Sequence, residues 1–421
     1  MLIIYYYNKK KSVRKVIIHK NGLNILYNKS IDKKYSNLYT YVKDVYKSGD
    51  FIKKGGTKMS NLPEKMKAIV AYAPGDYRFE MVDTPRAGEG EMILKVEACG
   101  ICAGDTKAFA GAASFWGFDG QAKYIKEPMI PGHEFVGKVV EIGPNVKGNW
   151  KIGDRICPEQ IVPCGECMFC KTGRHWMCEK HDLFGFQNNV NGGMAEYVKL
   201  TKEAIPYLVP ADMPIEQAAL IEPYGCSFHC VDRAQVKTTD VVVQSGVGTL
   251  GLGMVGALKQ CNPKCLIVLD MNDERLKKAK EFGADIVMNP GKEDVVAKIK
   301  EMTGGYGCDI YIEASGHPSS VQQGLDCIRK MGRFVEFSVF GAPVTVDWSI
   351  ISDRKELDLL GVHLSPFCYD TVIEWIGNGK LPTEGVVTHK FPLEKWEEAF
   401  HIAKTGENGA LKVVLVPDME A

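Results

Sequence analysis

The sequence VVVQSGVGTLGLGM, residues 241–254, is the strongest indicator of fold in this chain of 421 residues. An apolar run that suits a buried strand leads into three glycines with the spacing GxGxxG, and a helical segment follows them. The first glycine of such a loop permits a tight turn, the second lets a pyrophosphate approach the backbone, and the third allows close contact between helix and strand. The spacing therefore predicts a dinucleotide-binding loop. The residues predicted to bind the cofactor there are Gly246, Gly248, Thr249, Leu250 and Gly251.

Downstream of this loop, short apolar runs alternate with helical segments. The apolar runs are CLIVLD (265–270), DIVMN (285–289), IYIEAS (310–315), RFVEFS (333–338) and LDLLGV (357–362). The helical segments include DERLKKAKEFG (273–283), EDVVAKIKEMTG (293–304) and PSSVQQGLDCIRKMG (318–332). Alternating β and α units form a parallel sheet with right-handed crossovers. The pattern predicts an α/β fold with a doubly wound Rossmann domain, which we assign to residues 214–366.

Asp270 ends the strand that follows the glycine-rich loop, nineteen residues after Gly251. A carboxylate at this point accepts hydrogen bonds from both hydroxyls of the adenosine ribose. It also repels a 2′-phosphate, by about 1 kcal/mol per unit charge in water and about 4 kcal/mol at an intermediate dielectric. We therefore expect NAD rather than NADP as cofactor. Arg275 is a candidate neighbour of the adenine, and a solvated helix charge is the alternative explanation for it.

Upstream, the sequence PCGECMFCKTGRHWMC, residues 163–178, places four cysteines within fifteen residues. The spacing C-x2-C-x2-C-x7-C brings four thiolates round one point, which suits a tetrahedral Zn²⁺ with no open coordination position. Disulfides and reduced core thiols are the alternatives, but C-x-x-C pairs in a chain without a secretory signal favour metal. The spacing predicts a structural zinc site. Its ligands would be Cys164, Cys167, Cys170 and Cys178.

Three further motifs flank this lobe: CGICAGD with Cys102, PGHEF with His133 and Glu134, and IEPYGC with Glu222. One thiolate, one imidazole and a carboxylate make a three-ligand set that keeps a fourth zinc position free for water or substrate. Each motif alone is weak, because a single His or Glu is usually an ordinary core or surface residue. Their order around the cysteine lobe predicts a second, catalytic zinc. Whether Glu134 or Glu222 would ligate directly, through water or in alternation is left open.

The motifs GICAGD, PGHE, the four-cysteine lobe, IEP and GxGxxG occur in the order of the zinc-dependent medium-chain dehydrogenases, which the chain resembles from about residue 66 to 417. The polyol branch of that family is the closer match. Within it, GAASFWG (111–117), GFQNNVNGGMAEY (185–197) and IEPYGCSFHCVDRA (221–234) look like the erythritol/threitol dehydrogenases.

This resemblance implies a GroES-like, β-rich catalytic domain built from residues 59–213 and 367–421. Short β-rich runs punctuated by Gly and Pro in the first of these segments agree with it. The resemblance also implies two zinc ions per subunit and hydride transfer from a secondary hydroxyl of a short polyol to NAD. Zinc supplies the acidity that an alcohol lacks at neutral pH. A cytoplasmic homodimer or homotetramer without a nucleic-acid or membrane partner is the expected assembly.

Several positions bear on substrate and proton transfer. Glu222 stands where the simple-alcohol branch usually has Cys, and a carboxylate there suits a hydrophilic polyol. Gly104 and Lys107 replace the hydroxyl and the histidine of the family's usual proton relay. Proton removal through water and Glu134, or through a neighbouring substrate hydroxyl, are the alternatives. Two aromatic residues that could line the sugar pocket, with core packing as the alternative, are Phe115 and Trp116.

Composition excludes two classes of protein. Hydrophobic residues make up 45% of the chain and no apolar stretch approaches twenty residues, which argues against disorder and against a transmembrane helix.

Residues 1–58 differ from the rest, with fourteen Lys and Arg against three Asp and Glu. They have no signal-peptide pattern, and the codons for Lys54-Gly55-Gly56 can contain a ribosome-binding sequence ahead of Met59. We expect this segment to be a non-native leader or a disordered extension.

Two other kinds of function remain open at this stage. Hexitol, butanediol and threonine 3-dehydrogenases share the same motifs. A catalytically silent zinc-binding interaction protein is the non-enzymatic alternative, in which the basic N-terminal arm would bind a partner or nucleic acid. That alternative predicts a disabled catalytic zinc set, whereas Cys102, His133 and Glu222 are all present.

Overall fold

The computed structural model describes residues 62–420 apart from 119, 121 and 342, together with three strands near the N-terminus. The chain divides into two compact units, residues 1–59 and residues 60–421. In the first unit the strands form one antiparallel sheet in the order β1-β2-β3. Their bounds are β1 Leu2–Tyr7, β2 Val13–His19 and β3 Gly22–Asn24. The interpretation of residues 1–58 as a leader falls mostly outside the described residues and stays a prediction.

The second unit begins with a β-rich region. Its strands are β4 Lys65–Ala73, β5 Asp76–Asp83, β6 Met92–Gly100, β7 Glu134–Ile142, β8 Arg155–Pro158, β9 Ile161–Val162, β10 Asp182–Leu183, β11 Tyr197–Leu200 and β12 Pro206–Val209. Its helices are α1 Ala103–Phe109, α2 Ala113–Trp116, α3 Met168–Lys171 and the 3₁₀ turn His175–Met177. The β4 and β5 strands form a hairpin, and β9 pairs with β10.

A parallel sheet follows. Its strands are β13 Val241–Ser245, β14 Cys265–Leu269, β15 Ile286–Met288, β16 Cys308–Glu313, β17 Ile328–Glu336 and β18 Asp358–Gly361. The helices around it are α4 Ile215–Ala218, α5 Ile221–Ala234, α6 Thr249–Cys261, α7 Asp273–Glu281, α8 Val295–Met302, α9 Pro318–Cys327 and the 3₁₀ turn Trp348–Ile350. The strand order β15-β14-β13-β16-β17-β18 is that of a doubly wound nucleotide-binding sheet. The predicted α/β fold class is confirmed.

One predicted helix is shorter than expected. The segment predicted as helical over residues 318–332 is a helix only as far as Cys327, and β17 begins at Ile328. Ile328 is buried and pairs with Cys308 of the neighbouring strand. A buried β-branched side chain suits a strand better than a helix, so packing against β16 ends the helix early.

The end of the chain adds two strands to the sheet that contains β6, β7, β8, β11 and β12. Its elements are α10 Tyr369–Gly377, β19 Val387–Phe391, the 3₁₀ turn Leu393–Lys395, α11 Trp396–Thr405, the 3₁₀ turn Glu407–Gly409 and β20 Lys412–Leu415. The β20 strand pairs with β6 on one side and with β19 on the other, giving the order β12-β8-β7-β6-β20-β19 with β11 also against β6. The boundaries predicted for the two domains stay predictions. Among the described residues, no helix combines the length and apolar character needed to cross a bilayer.

The glycine-rich turn between β13 and α6 shows why its residues are glycines. Gly246 has a φ of +103°, which residues with a side chain rarely adopt. A Cβ atom on Gly251 would lie 2.3 Å from the Gly246 carbonyl oxygen. A Cβ atom on Gly248 would meet no atom of the described part of the chain within 4 Å, so the space above this residue is open there. The turn therefore packs tightly on the sheet and leaves room at the N-terminus of α6.

Candidate metal and cofactor sites

The four cysteines of the lobe lie together. The sulfur atoms of Cys164, Cys167, Cys170 and Cys178 are all within 4.8 Å of one another, and those of Cys164 and Cys170 are 4.0 Å apart. Backbone N–H groups donate to three of the sulfurs: Cys164 to Cys178 at 3.3 Å, Cys167 to Cys164 at 3.4 Å and Cys170 to Cys167 at 3.5 Å. Hydrogen bonds to sulfur favour the thiolate form, which is the form that binds metal.

The thiols of this cluster have unequal acidities. Backbone hydrogen bonds lower the pKa of Cys167 to about 6, whereas burial raises the pKa of Cys170 to about 12. Four thiolates at one point therefore require a cation that displaces the remaining protons, and Zn²⁺ fits this donor set. All fourteen cysteines lie in the described part of the chain, and none forms a disulfide. The structure thus agrees with the metal interpretation and not with the disulfide alternative.

A second group of potential ligands consists of the Cys102 sulfur, a His133 ring nitrogen and a Glu134 carboxylate oxygen, all within 4.8 Å of one another. Cys102 is the N-cap of α1, and Glu134 is the first residue of β7. Both His133 and Glu134 are buried. The buried Nδ1 atom of His133 has no hydrogen-bond partner among the described residues, and Oδ1 of Asp105 is 3.8 Å from it. A thiolate, an imidazole and a carboxylate whose donor atoms are available for coordination fit a catalytic zinc.

Glu222 lies outside that three-residue group, although it shares the same polar interior. It is 3% exposed in the first turn of α5. Burial and the charge of Glu134 raise the pKa of Glu222 to about 7, while the charges of His133 and Lys412 oppose the rise. The carboxylate accepts a hydrogen bond from the Cys226 thiol at 3.6 Å. The structure therefore brings Cys102, His133 and Glu134 together and leaves Glu222 beside them.

Sequence analysis missed a buried lysine at this site. Lys412, 4% exposed on β20, donates to Oε2 of Glu134 at 2.5 Å and to the Ile101 carbonyl at 3.1 Å. Burial alone would lower the pKa of Lys412, but the charges of Glu134 and Cys102 outweigh it and raise the pKa above its ordinary value. The available signal was a lysine in the otherwise apolar run LKVVLV, residues 411–416. Lys412 holds one oxygen of Glu134, so its other oxygen is the one available to a metal.

The glycine-rich loop and Asp270 also lie together. Asp270 accepts hydrogen bonds from the Val247 N–H at 2.8 Å and from the Asn272 N–H at 2.8 Å, so its carboxylate is held against the turn. Among the described residues, no side chain caps the helix that begins at Thr249. Free N–H groups at a helix N-terminus, with open space above Gly248, are suited to a pyrophosphate.

Arg275 lines a cavity of about 280 Å³ beside this loop, and Asn272, Thr388 and Leu411 also contribute to the cavity. The Thr249 hydroxyl donates to the Leu411 carbonyl at 2.9 Å, so the cavity adjoins the glycine-rich turn. The position is compatible with a cofactor contact, and the predicted role of Arg275 stays a prediction.

The aromatic residues of the SFWG stretch have different surroundings. The Phe115 ring stacks on Phe186 at 5.4 Å, and Phe186 also lies 5.4 Å from the His133 ring. The Trp116 indole instead donates to the Ala108 carbonyl at 2.7 Å. Phe115 thus packs close to the candidate metal site, whereas Trp116 packs on α1.

Lys107, which replaces the usual relay histidine, forms a hydrogen bond with a distant part of the chain. Its ammonium donates to the carbonyl of Val339 at 2.8 Å, in the loop that follows β17 of the parallel sheet. A β-carbon on Gly104 would lie 3.8 Å from the Cys102 sulfur and 3.8 Å from the Phe115 ring. Gly104 therefore lies beside the candidate metal site, whereas Lys107 ties α1 to the loop that follows β17.

Comparison with known proteins agrees with this geometry. Residues 88–211 match the model of the alcohol dehydrogenase GroES-like domain, and residues 249–378 match that of zinc-binding dehydrogenases. The erythritol/L-threitol dehydrogenase of Mycolicibacterium smegmatis is 48% identical over 362 residues, which cover 85% of this chain and 100% of that protein. The L-threonine 3-dehydrogenase of Pyrococcus horikoshii is 35% identical over 360 residues, 84% of this chain and 100% of that protein.

A solved structure shows the same fold with its cofactor. An alcohol dehydrogenase from Escherichia coli CFT073, crystallised with NADH, has a TM-score of 0.75 and 27% identity, covering 84% of this chain and 100% of that one. The two cysteine-containing groups described above can hold a structural and a catalytic zinc ion. The protein is therefore an oxidoreductase, and its chain belongs to the zinc-dependent medium-chain alcohol dehydrogenase family.

Proposed function

We propose that the protein oxidises a secondary hydroxyl of a short polyol, a four-carbon one in the first instance, to the corresponding ketose with NAD. The observation that carries this proposal is the second buried carboxylate, Glu222, beside the Cys102, His133 and Glu134 group. The 48% identity to an erythritol/L-threitol dehydrogenase supports it.

The proposed roles follow from the donor atoms. Cys102, His133 and the free oxygen of Glu134 would hold a catalytic zinc, with Glu222 as an alternative or water-mediated ligand. When bound there, zinc acts as a Lewis acid that makes the substrate hydroxyl acidic and polarises the product carbonyl. Cys164, Cys167, Cys170 and Cys178 would hold the structural ion.

Two carboxylates and a buried ammonium make the site polar, which favours a substrate with several hydroxyl groups. Glu222, as a carboxylate with a raised pKa, can accept a proton near neutral pH or hydrogen-bond a substrate hydroxyl. Hydroxyls bound beside the reacting carbon would orient its hydrogen toward the nicotinamide. A site built to pair such hydroxyls rejects analogues that lack them by as much as about 10⁴-fold.

The test is a substrate panel with NAD reduction as readout. We expect kcat/KM to be highest for a tetritol, lower for hexitols and butanediol, and lower for ethanol and propanol by at least about 100-fold. His133→Ala is the control for the metal site and should lose activity on every substrate while the fold persists. If threonine or a monohydric alcohol gave the highest kcat/KM and tetritols none, the polyol assignment would be wrong.

Cofactor choice gives a separate prediction. Asp270→Ser should weaken NAD binding, because the ribose hydroxyls lose their acceptor, and should relieve repulsion of the NADP phosphate. We expect the ratio of kcat/KM for NAD to that for NADP to fall by at least about tenfold. Asp273→Ser, at an exposed position three residues on, is the matched control and should leave the ratio unchanged. An unchanged ratio in Asp270→Ser would show that this carboxylate does not face the ribose.

The assembly and its location also remain proposals. We infer a homodimer or homotetramer that works in the cytoplasm, with NAD and a polyol as its partners. The fourteen free cysteines agree with a reducing compartment. Sedimentation of the purified protein measures the assembly directly.

A further inference from the structure

A chain of hydrogen bonds leads away from Glu222 into the protein. The Cys226 sulfur lies 3.6 Å from Oε1 of Glu222, one helical turn earlier on α5. The side-chain nitrogen of Gln160 lies 3.4 Å from that sulfur. The side-chain oxygen of Gln160 accepts from the Ser365 hydroxyl at 3.0 Å and from the Tyr369 hydroxyl at 3.2 Å. Cys226 and Gln160 thus stand in series behind the Glu222 carboxylate, and two hydroxyls branch from the Gln160 oxygen.

In its ionised form, the form that binds a metal, the Glu222 carboxylate fixes the direction of the bonds to Cys226 and Gln160. An ionised Glu222 can only accept, so the Cys226 thiol must donate to it. The sulfur is then free to accept from the Gln160 amide nitrogen, which leaves the amide oxygen for the two hydroxyls. Reversing the Gln160 amide would require the thiol to donate to Gln160 instead, and Glu222 would lose its donor.

Water cannot replace these bonds, because every side chain in the hydrogen-bonded series is buried. Glu222, Cys226, Gln160, Ser365 and Tyr369 are between 0% and 9% exposed. A buried polar group left without a partner costs about 1–3 kcal/mol, so each member constrains the next. The members come from α5, from the segment between β8 and β9, and from the β18–α10 connection with the start of α10. The chain therefore ties Glu222 to three separate parts of the fold.

We propose that Gln160 and Cys226 are positioning residues, which hold the Glu222 carboxylate in place for the catalytic metal through this directed chain. The inference rests on the proposed role of Glu222 as a direct or water-mediated ligand. Cys226 acts as a hydrogen-bond donor and not as a metal ligand, since its thiol proton is committed to Glu222. Loss of partners that orient metal ligands weakens metal binding by about 10–100-fold.

The test measures zinc affinity by competition with a chelator on the full-length protein. Cys102→Ser is the reference variant. It should keep only the structural ion, so comparison with it shows whether the zinc lost by another variant is the catalytic one. We expect Cys226→Ala to weaken the catalytic zinc by at least about tenfold and Cys226→Ser, which keeps a donor, to stay within about threefold of wild type. Cys230→Ala is the matched control, because Cys230 is a buried cysteine one turn further along α5 and outside the chain. It should bind zinc like the wild type.

Gln160→Leu tests the series itself. Because Gln160 is expected to act through Cys226, the double variant Gln160→Leu/Cys226→Ala should bind zinc no more weakly than Cys226→Ala alone. Additive losses, or wild-type affinity in Cys226→Ala, would overturn the inference. Glu222→Gln separates the role of Glu222 as a ligand from the role of the residues that position it. If Glu222→Gln binds zinc more weakly but Cys226→Ala binds it as tightly as the wild type, only the positioning role is refuted. Unchanged affinity in Glu222→Gln refutes the role of Glu222 and the chain together.

Discussion

Replacing Cys170 by serine is expected to remove one zinc ion per subunit and to lower the stability of the protein sharply. The four sulfurs of the lobe lie within 4.8 Å of one another, and a hydroxyl is a much poorer zinc donor than a thiolate. Structural zinc contributes about 10–16 kcal/mol of binding free energy in small metal-dependent peptides, and that energy feeds directly into folding. Metal analysis and thermal unfolding measure the two effects.

Cys261→Ser is the matched control for this variant. Cys261 is also half-buried and not disulfide-bonded, and it lies in neither metal-ligand group of the described residues. It should keep two zinc ions per subunit and unfold within a few degrees of the wild type. Wild-type zinc content and stability in Cys170→Ser would contradict the structural zinc site.

The features that the sequence predicted correctly are encoded locally. Strand and helix periodicities around the 241–254 motif determine the parallel sheet, because each strand is a short apolar run bounded by turn residues. The cysteine lobe was predictable for the same reason, since its four ligands lie within fifteen residues and fit one metal geometry. Where a boundary was wrong, at Cys327 and Ile328, tertiary pairing with β16 outweighed a helical pattern.

Contacts between distant parts of the chain could not be predicted. Glu134 and Lys412 are 278 residues apart, and Lys107 and Val339 are 232 residues apart. No local pattern records such pairs, because Glu134 and Lys412 meet only through the pairing of β7 and β20 with β6, and Lys107 meets Val339 only where α1 approaches the loop after β17. The sequence named four candidate ligands of the catalytic metal, but only the geometry separates Glu222 from the group formed by the other three.

The buried ion pair between Lys412 and Glu134 gives the other large expected effect. The Lys412 side chain is 5% exposed and that of Glu134 is 3% exposed, so removal of the ammonium leaves a buried carboxylate without its charge partner. Breaking one side of a buried pair costs about 3–5 kcal/mol. Lys412→Met keeps an unbranched side chain of similar size and removes the ammonium with its hydrogen bonds to Glu134 and Ile101, and we expect it to lower the free energy of unfolding by that amount.

Lys95→Met is the matched control, because Lys95 pairs with Asp418 at 2.7 Å but the two side chains are 40% and 61% exposed. An exposed pair contributes about 0–1 kcal/mol, so the two lysine variants should differ by at least about 2 kcal/mol in denaturant unfolding. Adding Glu134→Gln to Lys412→Met should recover part of the loss, since a neutral amide no longer needs the ammonium. Equal stabilities of Lys412→Met and Lys95→Met would show that Glu134 finds compensation elsewhere, and that Lys412 is not what holds this carboxylate beside Cys102 and His133.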